Sequence, residues 1–300
     1  MIVKKTIKEK ILDLSVVFSF IFSTSLFVLM FIYIIYEALA ALKFANLLNF
    51  IFAYDYSFEW KPNSVPPKYS FIPLLWGTFI TSLISATLAC IFGFIIAIYI
   101  YEYSNVTLKK YFEIFLETVG GIPAVLLGFF AIAVGLDFIS DAISLENRYN
   151  AFIASIYMSI PLTPFFSLAI HRSFNSIDYS LKEMAYALGA TRLQTLFKVI
   201  IPEAASSIKS SLYVVFARAL GETMIPLMIA GNASSLSLNL FAPTRTVAAA
   251  IAAEMGEAPR NSDHFHALFL LAFVLIFLQI LFFAIFKFVF KKINDEKKYQ

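Results

Sequence analysis

Six long apolar stretches dominate this chain. They lie at about 14–36, 72–101, 112–136, 150–170, 209–231 and 266–288. Each is long enough to cross the ~30 Å hydrocarbon core of a bilayer as a helix. Between the fourth and fifth runs the pattern changes. In the segment Glu183–Ala204, "EMAYALGATRLQTLFKVIIPEA", apolar residues recur at helical rather than continuous spacing. Leu181, Met184, Ala185 and Leu188 fall at i, i+3, i+4, i+7, and so do Leu193, Leu196, Phe197 and Ile200. The pattern predicts two short amphipathic helices. Gly189 is placed to end the first in a left-handed conformation, Thr191 to cap the second and Pro202 to stop it. The third run contains "GGIPAVLLGFFAIAVG", where Pro123 predicts a kink or broken start near Gly120-Gly121. Gly121, Gly128 and Gly135 repeat every seven residues and predict a close-packing seam.

Composition fits this pattern. The chain is 60% hydrophobic and only 14% charged, against about 25% charged for soluble domains. Its net charge of +3 is spread over loop ends and does not point to nucleic acid. With an inside N-terminus, sixteen of the 23 Lys and Arg fall on inside segments, six outside and one, Arg218, inside a helix. That bias predicts both termini in the cytoplasm, and with them the 171–208 loop. The first run is too long for a signal peptide and is read as a retained helix. One cysteine, Cys90, excludes an internal disulfide, and no Cys/His cluster suggests a metal.

The predicted fold is all-α, a polytopic membrane protein of six transmembrane helices with a cytoplasmic helical hairpin. Residues 1–70 form a first membrane helix and outer loop. Residues 71–290 form the core, with the hairpin loop at 171–208, and residues 291–300 form a cytoplasmic tail. A protruding helix pair with an apolar face fits a groove on another protein. The alternative is a helix lying on the membrane surface.

Arg218 and Glu222, spaced i, i+4 near mid-membrane in the fifth run, can share a face and pair. Charges at that depth either lock helices together or line a wet path. A guanidinium fork suits a multivalent oxyanion. Glu102 reads as an inner-interface residue of structural role. Glu254 and Glu257 read as a solvated outer face or a contact for a solute-binding partner. His264 and His266, two apart, make a poor metal pair. No Gly-x4-Gly-Lys-Ser/Thr loop is present, so nucleotide hydrolysis falls to another subunit. An intramembrane enzyme would need a catalytic set at membrane depth, and none is visible. A stand-alone channel or carrier would have no use for the hairpin.

The hairpin resembles the coupling motif of ABC importer permeases, which runs Glu-Ala-Ala, three residues, Gly, nine residues, Ile-x-Leu-Pro. Here Glu183, Ala185, Gly189 and Pro202 match. Met184, Val199 and Ile201 depart in identity but remain apolar. "ARALGETMIPLMIAGN" (217–232), "GGIPAVLLGF" (120–129) and "TRTVAAAIAAEMGEAP" (244–259) resemble phosphate-importer permeases of the PstC type rather than the PstA type. The resemblance implies a type I ABC importer permease in the cell (inner) membrane, without cofactor or catalytic residues of its own. Its implied partners are a PstA-like second permease subunit, a cytoplasmic ATPase dimer, an extracytoplasmic phosphate-binding protein and membrane lipid. It implies phosphate as cargo, with Arg218 and Glu222 on the path. A permease for molybdate, tungstate or sulfate is the alternative.

Overall fold

The computed structural model describes residues 7–43, 47–52 and 58–297. The extreme ends, positions 1–6 and 298–300, carry three of the lysines counted above and lie outside the described residues. The described chain is mainly helical, with a two-stranded antiparallel hairpin, β1 Trp60–Lys61 with β2 Lys68–Tyr69, and an irregular segment at 230–246.

The first helix, α1 (Ile7–Ala41), is longer than expected, and its most apolar window is wholly unburied, as for a lipid-facing span. It packs on the last helix, α14 (Asp263–Lys297), through Tyr33 edge-on to Phe269, with ring centroids 5.3 Å apart. Its C-terminal end carries the buried Glu37, whose carboxylate lies 2.9 Å from His266 Nδ1. α14 continues beyond the expected end at 288, so most of the assigned tail is helix. A short helix, α2 (Leu47–Phe52), precedes β1.

At the centre stands α3 (Ile72–Ile98), extended by a π-helical turn at Tyr99–Tyr103. Every fourth residue on its buried face is small: Gly77, Thr81, Ser85, Ala89, Gly93 and Ala97. Such a ridge lets backbones approach closely, which drives helix association in lipid. α3 packs chiefly on α7 (Ala151–Asn175) and also on α11 (Ala205–Leu220). A Cβ added at Gly93 would meet the Thr163 carbonyl oxygen at 2.9 Å, and one at Gly77 would overlap that of Arg245. At Gly128, by contrast, it would meet the Met228 sulfur, the end of a flexible side chain. Gly77→Ala should therefore destabilise the fold by about 1–3 kcal/mol, while Gly128→Ala should cost less. Thermal unfolding in detergent would check this, and equal losses would contradict it.

The third run divides differently from the expectation. α4 (Val106–Gly120) is amphipathic and ends at Gly121, and Pro123 then opens a second helix. That helix runs Ala124–Ala142 as α5 (Ala124–Phe130), a π-helical turn at Ala131–Gly135 and α6 (Leu136–Ala142). It is this segment, not 112–136, that has the length and hydropathy of a span. The break falls where Pro123 predicts it. The span lies after it because Lys109, Lys110, Glu113 and Glu117 give α4 a polar face, tied to the end of α7. Lys109 Nζ donates to Asn175 (3.1 Å), Arg172 pairs with Glu117 (3.2 Å) and Glu113 meets the buried His171 (3.1 Å). Of the three spaced glycines, Gly128 and Gly135 face Met228 and Tyr157 across helix contacts, whereas Gly121 meets only its own helix.

At the opposite end, the β hairpin and α13 (Val247–Glu254) close over α3. Glu254 is not a solvated residue. Its carboxylate accepts from Trp60 Nε1 (2.9 Å) and pairs with Arg245 (2.5 Å) and His264 (2.8 Å). Among the described residues no group of His, Cys, Asp and Glu has the arrangement of a metal site.

Candidate functional site: the coupling hairpin and the helix-break arginine

The hairpin is built from three helices and two stops. Asp178 caps α8 (Tyr179–Ala187) by accepting from the Ser180 backbone N–H (3.0 Å), and this bond holds its carboxyl below the usual range. The far end is a Schellman turn. Gly189 sits at φ +83°, its N–H donates to Tyr186 O (2.9 Å), and the Ala190 N–H donates to Ala185 O (3.0 Å). Thr191 then forms a capping box with Gln194 at the start of α9 (Arg192–Thr195). A π-helical turn at Leu196–Ile200 leads into α10 (Ile201–Glu203). Pro202 occupies the first turn of α10, and the chain bends by 70° around Ala204 into α11. Pro202 therefore marks the bend, one residue earlier than the actual stop.

The two predicted apolar stripes each divide between two surroundings. Ala185, Leu196 and Ile200 are buried, the last two in a core shared with Phe166, Ile170 and Phe174 of α7 and Ala89 and Ala97 of α3. Met184, Leu193 and Phe197 are more than half exposed, and Leu188 is 89% exposed. Glu183 and Pro202 are also exposed. The hairpin thus sits on the bundle by one face and projects the other. Burial against α7 and α3 anchors it to the bundle, which a helix held only by a lipid surface would lack. Glu102 is buried against this hairpin rather than facing an interface with water.

The expected fifth span, 209–231, is broken. α11 ends at Leu220, and α12 (Met224–Ile229) starts after Gly221. Pro226 supplies the reason. It has no N–H to donate to the carbonyl of residue 222, and its ring clashes with that carbonyl in a continuous helix. The Glu222 carboxylate instead accepts from the backbone N–H groups of Thr223 and Met224, both at 3.1 Å, at the break itself. Glu222 is therefore not Arg218's partner: among the described residues no hydrogen bond or ion pair joins the two. The Arg218 guanidinium lies over the Phe165 ring, 5.3 Å from its centroid, and is exposed on the face of α11. The break was legible in "GETMIP", where Gly221 precedes Pro226 by little more than one turn. Among the described residues five helices are individually long and apolar enough to span, and counting the bent pair Arg192–Glu203 with Ala205–Leu220 as one span brings the number to six.

Residues 89–295 match the family described as "binding-protein-dependent transport system inner membrane component". The "Probable ABC transporter permease protein YqgH" of Bacillus subtilis is 30% identical, over 78% of this chain and 75% of its own. A "Phosphate transport system permease protein PstC" of Xylella fastidiosa is 31% identical, over 74% of each. Among solved structures, a bacterial alginate ABC transporter chain superposes with a TM-score of 0.63 at 17% identity, over 95% of this chain and 96% of that one. A chain of the MetNI methionine ABC transporter gives 0.60 at 15% identity, over 74% and 95%. The projecting hairpin, the broken helix pair and these matches agree: the chain belongs to the binding-protein-dependent transport system inner membrane components, the permease subunits of ABC importers.

Proposed function

We propose that this permease carries phosphate, and that Arg218 is its contact with the anion along the path. The observation supporting this reading is the arginine's state. It is a fixed cation on a membrane helix, beside a helix break, with no carboxylate to neutralise it among the described residues. A charge left so within a bilayer costs at least ~2.5–3.5 kcal/mol on insertion scales and marks a wet path. Phosphate offers the oxygens that a guanidinium fork binds. Glu222 serves the path indirectly, by satisfying the Thr223 and Met224 N–H groups at the helix break. The naming of the Xylella relative for phosphate transport favours this anion over molybdate, tungstate or sulfate.

In this reading Met184, Leu188, Leu193 and Phe197 dock on a cytoplasmic ATPase subunit. Glu183, Ala185, Gly189 and Pro202 shape the docking element. A PstA-like permease completes the path, and a binding protein delivers the anion from outside. Both termini are cytoplasmic. The test is uptake of labelled phosphate into proteoliposomes holding the binding protein, both permeases and the ATPase, with molybdate and sulfate as competitors. Phosphate uptake that neither competitor displaces at equal concentration is expected; preferential uptake of either would refute the assignment. Single cysteines at positions 6, 62 and 192, in a Cys90→Ala background, should label from inside, outside and inside. Any other pattern would overturn the orientation.

A further inference from the structure

Besides its chain connections to α7 and α11 and its apolar packing on the bundle, the hairpin has a polar attachment. Lys182, on the inner side of α8, reaches the last turn of α3, where its ammonium lies 2.8 Å from Glu102 Oε2. Tyr186, one turn further on, donates its hydroxyl to Glu102 Oε1 at 3.4 Å. The ammonium also sits 4.7 Å from the centroid of the Tyr101 ring. The Glu102 side chain is 4% exposed and that of Lys182 15%. Glu102 belongs to the π-helical turn Tyr99–Tyr103, an irregularity frequent at functional sites. Burial would lower the Lys182 pKa, but the hydrogen bond and charge of Glu102 outweigh it and hold it above its ordinary value. A raised lysine pKa keeps the ammonium charged throughout neutral pH; the stability it adds is lost only as the pH rises through that value.

A buried ion pair is a poor way to gain stability, since well-packed apolar side chains of similar size do as well or better. What it adds here is a fixed register between α8 and α3. α3 shares one core with the hairpin's Leu196 and Ile200 and with Val215 and Ala219, which flank Arg218 on α11. We propose that Glu102 and Lys182, with Tyr101 and Tyr186 around them, form a tether that moves α3 and the hairpin as one body and so transmits ATPase motion to the anion path. This rests on the reading of the hairpin as the ATPase-docking element. Both are positioning residues, since neither touches cargo.

The test uses the complete importer in proteoliposomes. Lys182→Met and Glu102→Gln should keep the ATPase bound and hydrolysing, while phosphate taken up per ATP falls by about tenfold, the order expected for one charge-assisted hydrogen bond. Lys182→Arg should recover most of it. An unchanged ratio of uptake to hydrolysis would overturn the tether. Phe197→Asp, on the exposed face, is the control for the underlying reading: it should release the ATPase, and if it does not, the docking assignment fails instead. A pair of cysteines at 102 and 182, in Cys90→Ala, covers the case in which single variants fail to assemble. It should be uncoupled when free and recoupled by a short bismaleimide; a cross-link that leaves the pair uncoupled or blocks transport would refute motion as one body.

Discussion

Arg218→Gln should leave the importer assembled and reduce phosphate uptake by about 10- to 100-fold. The size follows from losing hydrogen bonds between a fixed charge and an anion, each worth ~1.5–3 kcal/mol. Assembly should survive because the arginine holds no carboxylate among the described residues and lies over the Phe165 ring. Had Arg218 and Glu222 been a buried pair, deleting one charge would have stranded the other at a cost of 3–5 kcal/mol. Arg218→Lys should recover uptake only in part, since a point charge lacks the fork. Glu222 separates path from scaffold. Glu222→Gln keeps an oxygen that can accept from the Thr223 and Met224 N–H groups, so its effect should be small. Glu222→Ala removes both bonds and should cost about 0.5–1.5 kcal/mol of local stability. The double variant Arg218→Gln with Glu222→Gln should assemble and remain inactive. Uptake near wild type in the double variant would refute the role of Arg218, as would failure of Arg218→Gln to assemble.

Gly189→Val should uncouple the transporter without disturbing membrane insertion. The left-handed conformation at φ +83° costs an L-residue roughly 1–2 kcal/mol, and a β-branched one is poorly suited to it. The cost is purely conformational, because a Cβ at Gly189 would meet nothing within 4 Å. Gly189→Asn is therefore the informative companion. Asparagine tolerates this conformation and adds no clash, so it should retain most activity. Binding-protein-stimulated ATP hydrolysis, with ATPase co-purification, measures the difference. Equal activity in the Val and Asn variants would show that the turn geometry does not matter for coupling.

Much of this protein was readable from local pattern. Gly189 and Thr191 stop and restart the hairpin as their residue types dictate, and the bonds that do so lie within a few positions along the chain. The break before Pro123 was equally local. The span boundaries around it were not, because hydropathy averaged over a window merges α4 with the helix that follows. What separates them is a set of polar contacts from α4 to Asn175, Arg172 and His171, more than fifty positions away. The i, i+4 spacing of Arg218 and Glu222 suggested a pair, but that inference assumed an unbroken helix. Pro226 invalidates the assumption from beyond both residues.

The sequence by itself determined the membrane character, the hairpin and its stops, because apolar run length, basic bias, glycine and caps act through the bilayer or through neighbouring residues. Only the tertiary structure decided which apolar positions of the hairpin face the bundle and which project. It also decided that Glu254 is held by Trp60, Arg245 and His264, and that Glu102 lies against Lys182. Those partners are 80 residues apart for Glu102 and Lys182, and 194 for Trp60 and Glu254. Which charge meets which across such a gap depends on how the small-residue ridge of α3 seats its neighbours, a packing outcome that no local pattern encodes.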